Sequence, residues 1–381
     1  MRILFVNEKC GYFGGIEQNV ADTAAGLRAR GAQCFLAFQE TTGRQVPEYQ
    51  ANFEECVPLD PFPQALARVR PDVVYIHKAN VRSLGDALAG VYAGVRTLRM
   101  VHDHDLCCPR RHKYYAWNGR ICRHKADWRC YLDMAFVERS AGPAKIAFVS
   151  IGDKMLEMRR NRQLALLLVG SASMREELIQ NGFPPERVEI LPPAVRMPLR
   201  AMAPIPDENR ILYVGQLVRG KGVDLLLRAL AHVRSDYELT IVGAGNARTG
   251  LDRNVEELGL DGKVRFAGWV NPQELGDYYA RAKLVAVPSR WPEPFGMIGL
   301  EAMHYGRPVV AFRVGGIPDW LEHGVTGLMA PEQDVRAFAA ALDQLLSDRQ
   351  LCSQLGRQAQ ERVRTMFCFE KYLDRLEGLL C

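Results

Sequence analysis

Apolar positions along the chain alternate between short continuous runs and sets at helical spacing. Residues 2–7 form a short apolar run, and the glycine-bearing loop from Gly11 to Gly15 follows it. Ile16, Val20, Ala24 and Leu27 then recur on one helix face, with Gly31 placed to cap the helix end. A second run at 34–38 completes a strand–helix–strand unit, the kind that offers a ligand site beyond the carboxyl ends of its strands. Runs at 72–77, 96–101, 164–169 and 188–191, separated by helical or irregular stretches, predict a mostly parallel sheet. Between 192 and 209 lie Pro192, Pro193, Pro198, Pro204 and Pro206, none in a periodic segment, and they mark a linker. The alternation then restarts. A run at 211–215 leads into a helix with Val223, Leu226, Leu227 and Leu230 on one face, and runs at 239–245, 264–268, 284–288 and 308–312 follow. The pattern reads as α/β throughout, in two halves facing a cleft.

Composition agrees with that division. A chain of 381 residues, 48% hydrophobic and 24% charged, suits about two globular domains. No apolar run approaches the roughly 20 residues that cross a bilayer, and the first residues enter a strand pattern without a signal-peptide layout, so the expected location is cytoplasmic. Ten cysteines in a chain this long read mostly as reduced thiols. The net charge of +5 is mild.

The densest chemistry lies between Trp291 and Pro308. Glu293 and Glu301 stand eight positions apart with Gly296 and Gly299 between them, and residues 296–305 read as a helix that stops at Gly306. Pro292 and Pro294 hold the approach extended, and Gly296 lets a ligand come close to the N–H groups at the helix start. Such a helix start favours an anion. On spacing alone, an ordinary buried helix with a capping Glu explains the stretch equally well. The segment Glu293-Pro-Phe-Gly-Met-Ile-Gly-Leu-Glu301, however, resembles the E-x7-E signature of the retaining, nucleotide-sugar-dependent glycosyltransferases of family 4, which have the GT-B architecture.

The resemblance covers nearly the whole chain and implies two Rossmann-like domains facing a central cleft. An acceptor-binding domain would take residues 1–198 and a nucleotide-sugar-binding domain 205–365, with a last helix in 366–381 crossing back to the first domain. It implies that Glu301 accepts hydrogen bonds from the ribose hydroxyls and Glu293 contacts the donor sugar, while amides of Phe295, Gly296, Met297 and Ile298 meet phosphates and sugar. Gly14 and Gly15, in Gly-Gly-Ile-Glu17, resemble the family's GGxE loop, whose backbone faces the diphosphate and the acceptor. Gly215-Gln-Leu-Val-Arg-Gly-Lys-Gly222 resembles its G-R-x4-K-G loop, with Lys221 as the cation for the departing diphosphate. Gln216 stands where the family has Arg, and Arg219 is the nearby substitute. Gly243 and Val270 would pack the base and ribose. His102, after the run at 96–101, resembles the family's active-site histidine and would position sugar or acceptor, with Asp103 and Asp105 as alternative bases. The implied catalytic set is His102, Lys221 and Glu293. The implied reaction is front-side displacement without a required cofactor, in cell-surface polysaccharide or glycoconjugate assembly. Two other classes stay open: a nucleotide-sugar epimerase or hydrolase of the same architecture, and a non-catalytic sugar-nucleotide sensor, which the Gln216 departure favours.

From Arg96 to Lys125 basic residues are dense, with Tyr114, Tyr115 and Trp117 interleaved. That pattern suits a saccharide or lipid-linked acceptor and peripheral contact at the inner face of a membrane; nucleic acid is not expected, because no such motif accompanies it. A solvated loop is the plain alternative. The same stretch gathers Cys107, Cys108, Cys122 and Cys130 beside His104, His112 and His124, candidate ligands for a structural Zn²⁺ or an iron–sulfur cluster. A disulfide or unlinked thiols account for the cluster as well.

Overall fold

The computed structural model describes residues 1–79, 85, 91, 93–115, 118–139, 146–196, 204–271 and 274–381. The chain forms two compact units: Met1–Lys113 with Arg123–Pro193 and Glu370–Cys381, and Tyr114–Cys122 with Ala194–Phe369.

The first unit is built on seven strands: β1 (Arg2–Asn7), β2 (Gln33–Phe38), β3 (Glu55–Pro58), β4 (Val73–Lys78), β5 (Arg96–Val101), β6 (Leu166–Val169) and β7 (Val188–Ile190). They lie in the order β7-β6-β5-β4-β1-β2-β3, every neighbouring pair parallel. Their sequences are continuous apolar runs because a parallel sheet is covered on both faces; Leu4, Val6, Val74 and Ile76 share one core with Ala37 and Val57. Helix α1 (Gly15–Ala29) follows β1 and buries Val20, Ala24 and Leu27 of the predicted face, while Ile16, in its first turn, is half-buried.

The second unit repeats the plan with β8 (Arg210–Val214), β9 (Glu238–Val242), β10 (Val264–Gly268), β11 (Leu284–Val287), β12 (Val309–Phe312) and β13 (Gly327–Ala330). Their order is β10-β9-β8-β11-β12-β13, again all parallel. Helices α2 (Val223–Leu230), α3 (Met297–His304) and α4 (Arg349–Met366) belong to this unit. Gly356 lets α4 touch the end of α3: a Cβ there would stand 2.2 Å from the carbonyl of Gly306. Gln360 also donates to the carbonyl of His304 at 2.8 Å.

The last helix, α5 (Phe369–Leu380), has its residues from Glu370 onward in the first unit. Arg30 binds Asp374 at 2.7 Å and Glu377 at 2.9 Å, and Thr23 meets the Tyr372 hydroxyl at 3.2 Å. Within these two sheets, both strands that the apolar pattern fails to mark, β3 and β13, are edges. Each is four residues long and carries a breaker, Pro58 or Gly327, so neither produces a run. Among the described residues no helix is long and apolar enough to cross a membrane.

Candidate active site

At the carboxyl ends of the second unit's strands, three loops are bound to one another through glycine. A Cβ on Gly243 would stand 1.9 Å from the carbonyl of Gly215, and the Gly243 amide donates to Gly268 at 2.7 Å, so the turns after β8, β9 and β10 lie edge to edge. Val270 continues the last of them. Gln216 and Arg219 are exposed on the first. The same loop reaches the turn after β11, because the amides of Arg290 and Trp291 both donate to the Gly220 carbonyl, at 2.9 and 3.2 Å. Gly222, at φ +68°, passes so close to Pro288 that a Cβ would fall 2.0 Å from its carbonyl oxygen.

This close joining sets Lys221 beside Glu293. Lys221 Nζ lies 2.7 Å from Glu293 Oε1 and 5.0 Å from the centre of the Trp291 ring, and the Ser289 hydroxyl donates to the same carboxylate oxygen. Glu293 is only 4% exposed. Burial alone would push its carboxyl up, but the charge of Lys221 and the hydrogen bonds from Lys221 and Ser289 outweigh burial and hold it below the usual range. Its backbone is clamped as well: Gly316 donates to its carbonyl at 2.7 Å, and Gly315, at φ +53°, leaves room where a Cβ would meet that oxygen at 2.2 Å.

Glu293 leads into α3, whose N-cap Gly296 takes φ +100°. The amides of Met297 and Ile298 open the helix and have no acceptor within it, which makes this end electropositive. The helix position is fixed from below by Trp320: a Cβ at Gly299 would stand 2.0 Å from its ring, and its indole N–H donates to the Phe295 carbonyl at 2.6 Å. The two glycines of the signature thus have different reasons, one a left-handed cap and the other a ring contact. One turn on, Glu301 Oε2 accepts from the Tyr279 hydroxyl at 2.8 Å, and Tyr279 stacks on Tyr305. Burial raises the Glu301 carboxyl above its ordinary range and the Tyr279 hydrogen bond offsets that only in part.

Sequence reasoning missed three supports of this site. Arg290, 6% exposed, binds Asp224 at 2.6 Å and braces the Lys221 loop from behind. Ser289 and Tyr279 position the two carboxylates. The third is the segment Tyr114–Cys122, read from sequence as part of a basic loop, which packs with the second unit. Tyr114 pairs with Ile121, the Gln333 amide donates to the Gly119 carbonyl at 2.9 Å, and the Tyr114 ring lies 3.3 Å from where a Gly220 Cβ would be. No local pattern signals a contact made across 214 positions.

In the first unit, His102 follows β5 and its Nε2 lies 2.9 Å from His77 Nδ1. Burial lowers both imidazoles; His102 falls to about 4, because burial, helped by the charges of Lys78 and Arg99, outweighs the opposing charge of Asp103. Both rings are therefore neutral near pH 7, and one donates its proton to the other. Asp103 and Asp105, the alternative bases, both bind Lys78, Asp103 at 3.1 Å. Glu17 caps α1 by accepting from the Gly14 amide at 3.0 Å. A Cβ on Gly15 would meet no atom within 4 Å, so Gly15 leaves open space over the start of α1, whereas one on Gly14 would lie 3.7 Å from Glu17 Oε2.

The candidate metal ligands are not brought together. Among the described residues no group of three or more His, Cys, Asp or Glu side chains is placed to hold a metal ion, and all ten cysteines are thiols rather than disulfides. Cys107 and Cys108 are buried, which pushes the Cys108 thiol up to about 11, whereas Cys122 packs with the second unit. His104 directs Nδ1 to Glu177 at 2.6 Å, and His124 directs its Nδ1 to Arg129. Their closeness along the chain reflects one long connection between β5 and β6.

A family model described as glycosyl transferase 4-like domain matches residues 14–194, and one described as glycosyl transferases group 1 matches residues 199–362. The chain belongs to the family 4 glycosyltransferases, with the GT-B fold. Among the relatives of this chain, an uncharacterized glycosyltransferase of Methanocaldococcus jannaschii is 36% identical over 168 residues, 44% of this chain and 42% of its own length. The D-inositol 3-phosphate glycosyltransferase of Corynebacterium diphtheriae is 29% identical over 70% of this chain and 69% of its own. The chain thus spans less than half of the first relative's length and about two thirds of the second's. Anabaena HepE in complex with UDP-glucose superposes with a TM-score of 0.76 at 21% identity, covering 100% of this chain and 99% of that one, which establishes the shared fold.

Proposed function

We propose that the chain is a retaining glycosyltransferase that moves a hexosyl unit from a nucleotide-sugar donor to an acceptor hydroxyl, in cell-surface polysaccharide or glycoconjugate assembly. The observation that carries this reading is Lys221 Nζ at 2.7 Å from Glu293, beside the amino end of α3. A fixed cation next to open amides suits a departing diphosphate, and it acts where negative charge grows. On donor binding, Lys221 and the amides of Met297 and Ile298 take the diphosphate oxygens, Glu301 accepts from the ribose hydroxyls, and Glu293 turns its acceptor oxygens to the sugar. The bond from the anomeric carbon to the phosphate oxygen breaks while the acceptor oxygen bonds on the same face, and the acceptor proton passes to the departing phosphate. Neutral His102 orients the sugar or acceptor by a hydrogen bond and carries no charge of its own. The charge-offsetting role falls to Lys221 and the amides, with no metal ion called on.

The names of similar proteins support a nucleotide-sugar donor and a sugar-like acceptor: HepE is described with UDP-glucose, and the corynebacterial relative by inositol 3-phosphate. A thermal-shift screen with UDP-, GDP-, ADP- and dTDP-sugars tests the reading, since a ligand that binds only the folded state raises the unfolding temperature. A shift with one base series, followed by release of that diphosphate when acceptor is added, supports transfer. Release of free sugar or an epimer without acceptor supports a hydrolase or epimerase instead, and a shift with no turnover supports a sensor.

A further inference from the structure

Strands β4 and β5 pair in parallel with Ile76 opposite Arg99. Extending that register sets His77 opposite Met100, and His102, two residues further on, falls on the same face. The two rings meet there, His77 Nδ1 at 2.9 Å from His102 Nε2, with centres 5.1 Å apart and planes within 25° of parallel. In that arrangement an N–H of one ring points at the in-plane lone pair of the other. His77 is 2% exposed and packed against Phe5 and Tyr75, and its second nitrogen, Nε2, has no hydrogen-bond partner among the described residues. His102 is half-buried, and its Nδ1 bonds to no described residue. Neighbouring Asp103 directs its oxygens to Lys78 at 3.1 Å and to the Asp105 amide at 2.9 Å, so it does not orient the ring.

The proton between the rings has two possible owners. Were it on His102 Nε2, neutral His77 would keep its own proton on Nε2, as a buried N–H with no acceptor. With the proton on His77 Nδ1, the unmet atom is a bare lone pair, and folded proteins leave buried donors orphaned more rarely than buried acceptors. We propose that His77 is a positioning residue: its Nδ1–H donates to His102 Nε2 and fixes His102 as the Nδ1–H tautomer, which presents a donor and no lone pair on its free side. The consequence for catalysis rests on the transfer reading. A hydroxyl of the sugar or acceptor accepts from His102 Nδ1–H, and His102 has no free nitrogen with which to take the acceptor proton. That proton is left to the departing phosphate oxygen.

NMR of the full chain with isotope-labelled histidine nitrogens, recorded near neutral pH, tests the proposal, the His102 signals being assigned by their loss in His102→Asn. Wild-type His102 is expected to carry its proton on Nδ1 and to be bare at Nε2. A proton on His102 Nε2 with Nδ1 bare overturns the proposal. Kinetics give a second arm. His77→Leu removes the donor, so His102 should populate both tautomers and kcat should fall about tenfold, the worth of one net hydrogen bond, with the affinity for free nucleoside diphosphate unchanged. His77→Asn, whose amide nitrogen takes the place of Nδ1, should restore the single tautomer and most of the rate. A His77 that only fills space would lower the unfolding temperature in His77→Leu but leave the His102 tautomer and kcat as in the wild type, and that result also overturns the proposal. The expected tautomer in a protein that transfers no sugar leaves the positioning standing and removes the transfer reading alone.

Discussion

Lys221 Nζ and Glu293 Oε1 lie 2.7 Å apart, so the cation assigned to the leaving diphosphate is held, before donor arrives, by the carboxylate assigned to the sugar. Their side chains are 23% and 4% exposed, and removing one partner strands the other's charge in a poorly solvated place. Lys221→Ala should therefore cost about 2–3 kcal/mol of stability, below the ~3–5 kcal/mol of a fully buried pair. Adding Glu293→Gln should restore part of that loss, and urea unfolding of the singles and the double measures it. Simple additivity would show that the pair is not coupled.

Glu301 is expected to bind ribose as a carboxylate, and burial raises its protonation range. The sign follows: nucleotide affinity falls as pH drops through that raised range, because the protonated carboxyl loses an acceptor. Calorimetric affinities across mildly acidic pH check this. Glu301→Gln should weaken binding about tenfold and flatten the pH dependence, in line with a lost hydrogen bond to a charged group.

The neutral imidazoles predict a second pH effect. Unfolded histidine takes a proton near pH 6.5, whereas His102 resists until about pH 4 and His77 is lowered as well. Between those values the unfolded chain binds more protons, so folding stability should decline as pH falls from about 6.5 toward 4. His102→Asn should make the decline shallower. Near neutral pH, His102→Ala should keep the affinity for free nucleoside diphosphate yet slow transfer by about 10²-fold; calorimetry paired with a transfer assay separates the two.

Two glycines should respond in opposite ways. Gly299→Ala puts a methyl 2.0 Å from the Trp320 ring and should cost at least about 1–3 kcal/mol, with the donor site displaced. Gly15→Ala meets nothing within 4 Å and lies in the first turn of α1, so stability should hold or rise by about 0.5–1 kcal/mol. If the open space over that turn receives ligand, transfer should still slow. Thermal unfolding alongside transfer rates checks both.

The strands and helices that carry the site were legible because buried parallel strands are apolar throughout and α1 and α2 show one clear face. Glu293, Gly296, Gly299 and Glu301 were legible as a motif, but the reason for Gly299 was not, since Trp320 lies 21 positions further on. The pairing of Lys221 with Glu293 spans 72 positions and depends on Gly222 letting two loops touch. Local pattern cannot report such a contact. Cys107, Cys108, Cys122 and Cys130 are near in sequence, yet the connection that carries them is divided, with Tyr114–Cys122 grouped in the second unit, and no local pattern reports that division.

The central claim is that Lys221 acts on a departing nucleoside diphosphate, and the rate of diphosphate release tests it most directly. With the donor identified by thermal shift and saturating acceptor, wild-type enzyme should release diphosphate and Lys221→Ala should do so about 10²-fold more slowly or worse, the usual effect of removing one preorganised contact to developing charge. Equal rates in the two proteins would contradict the account.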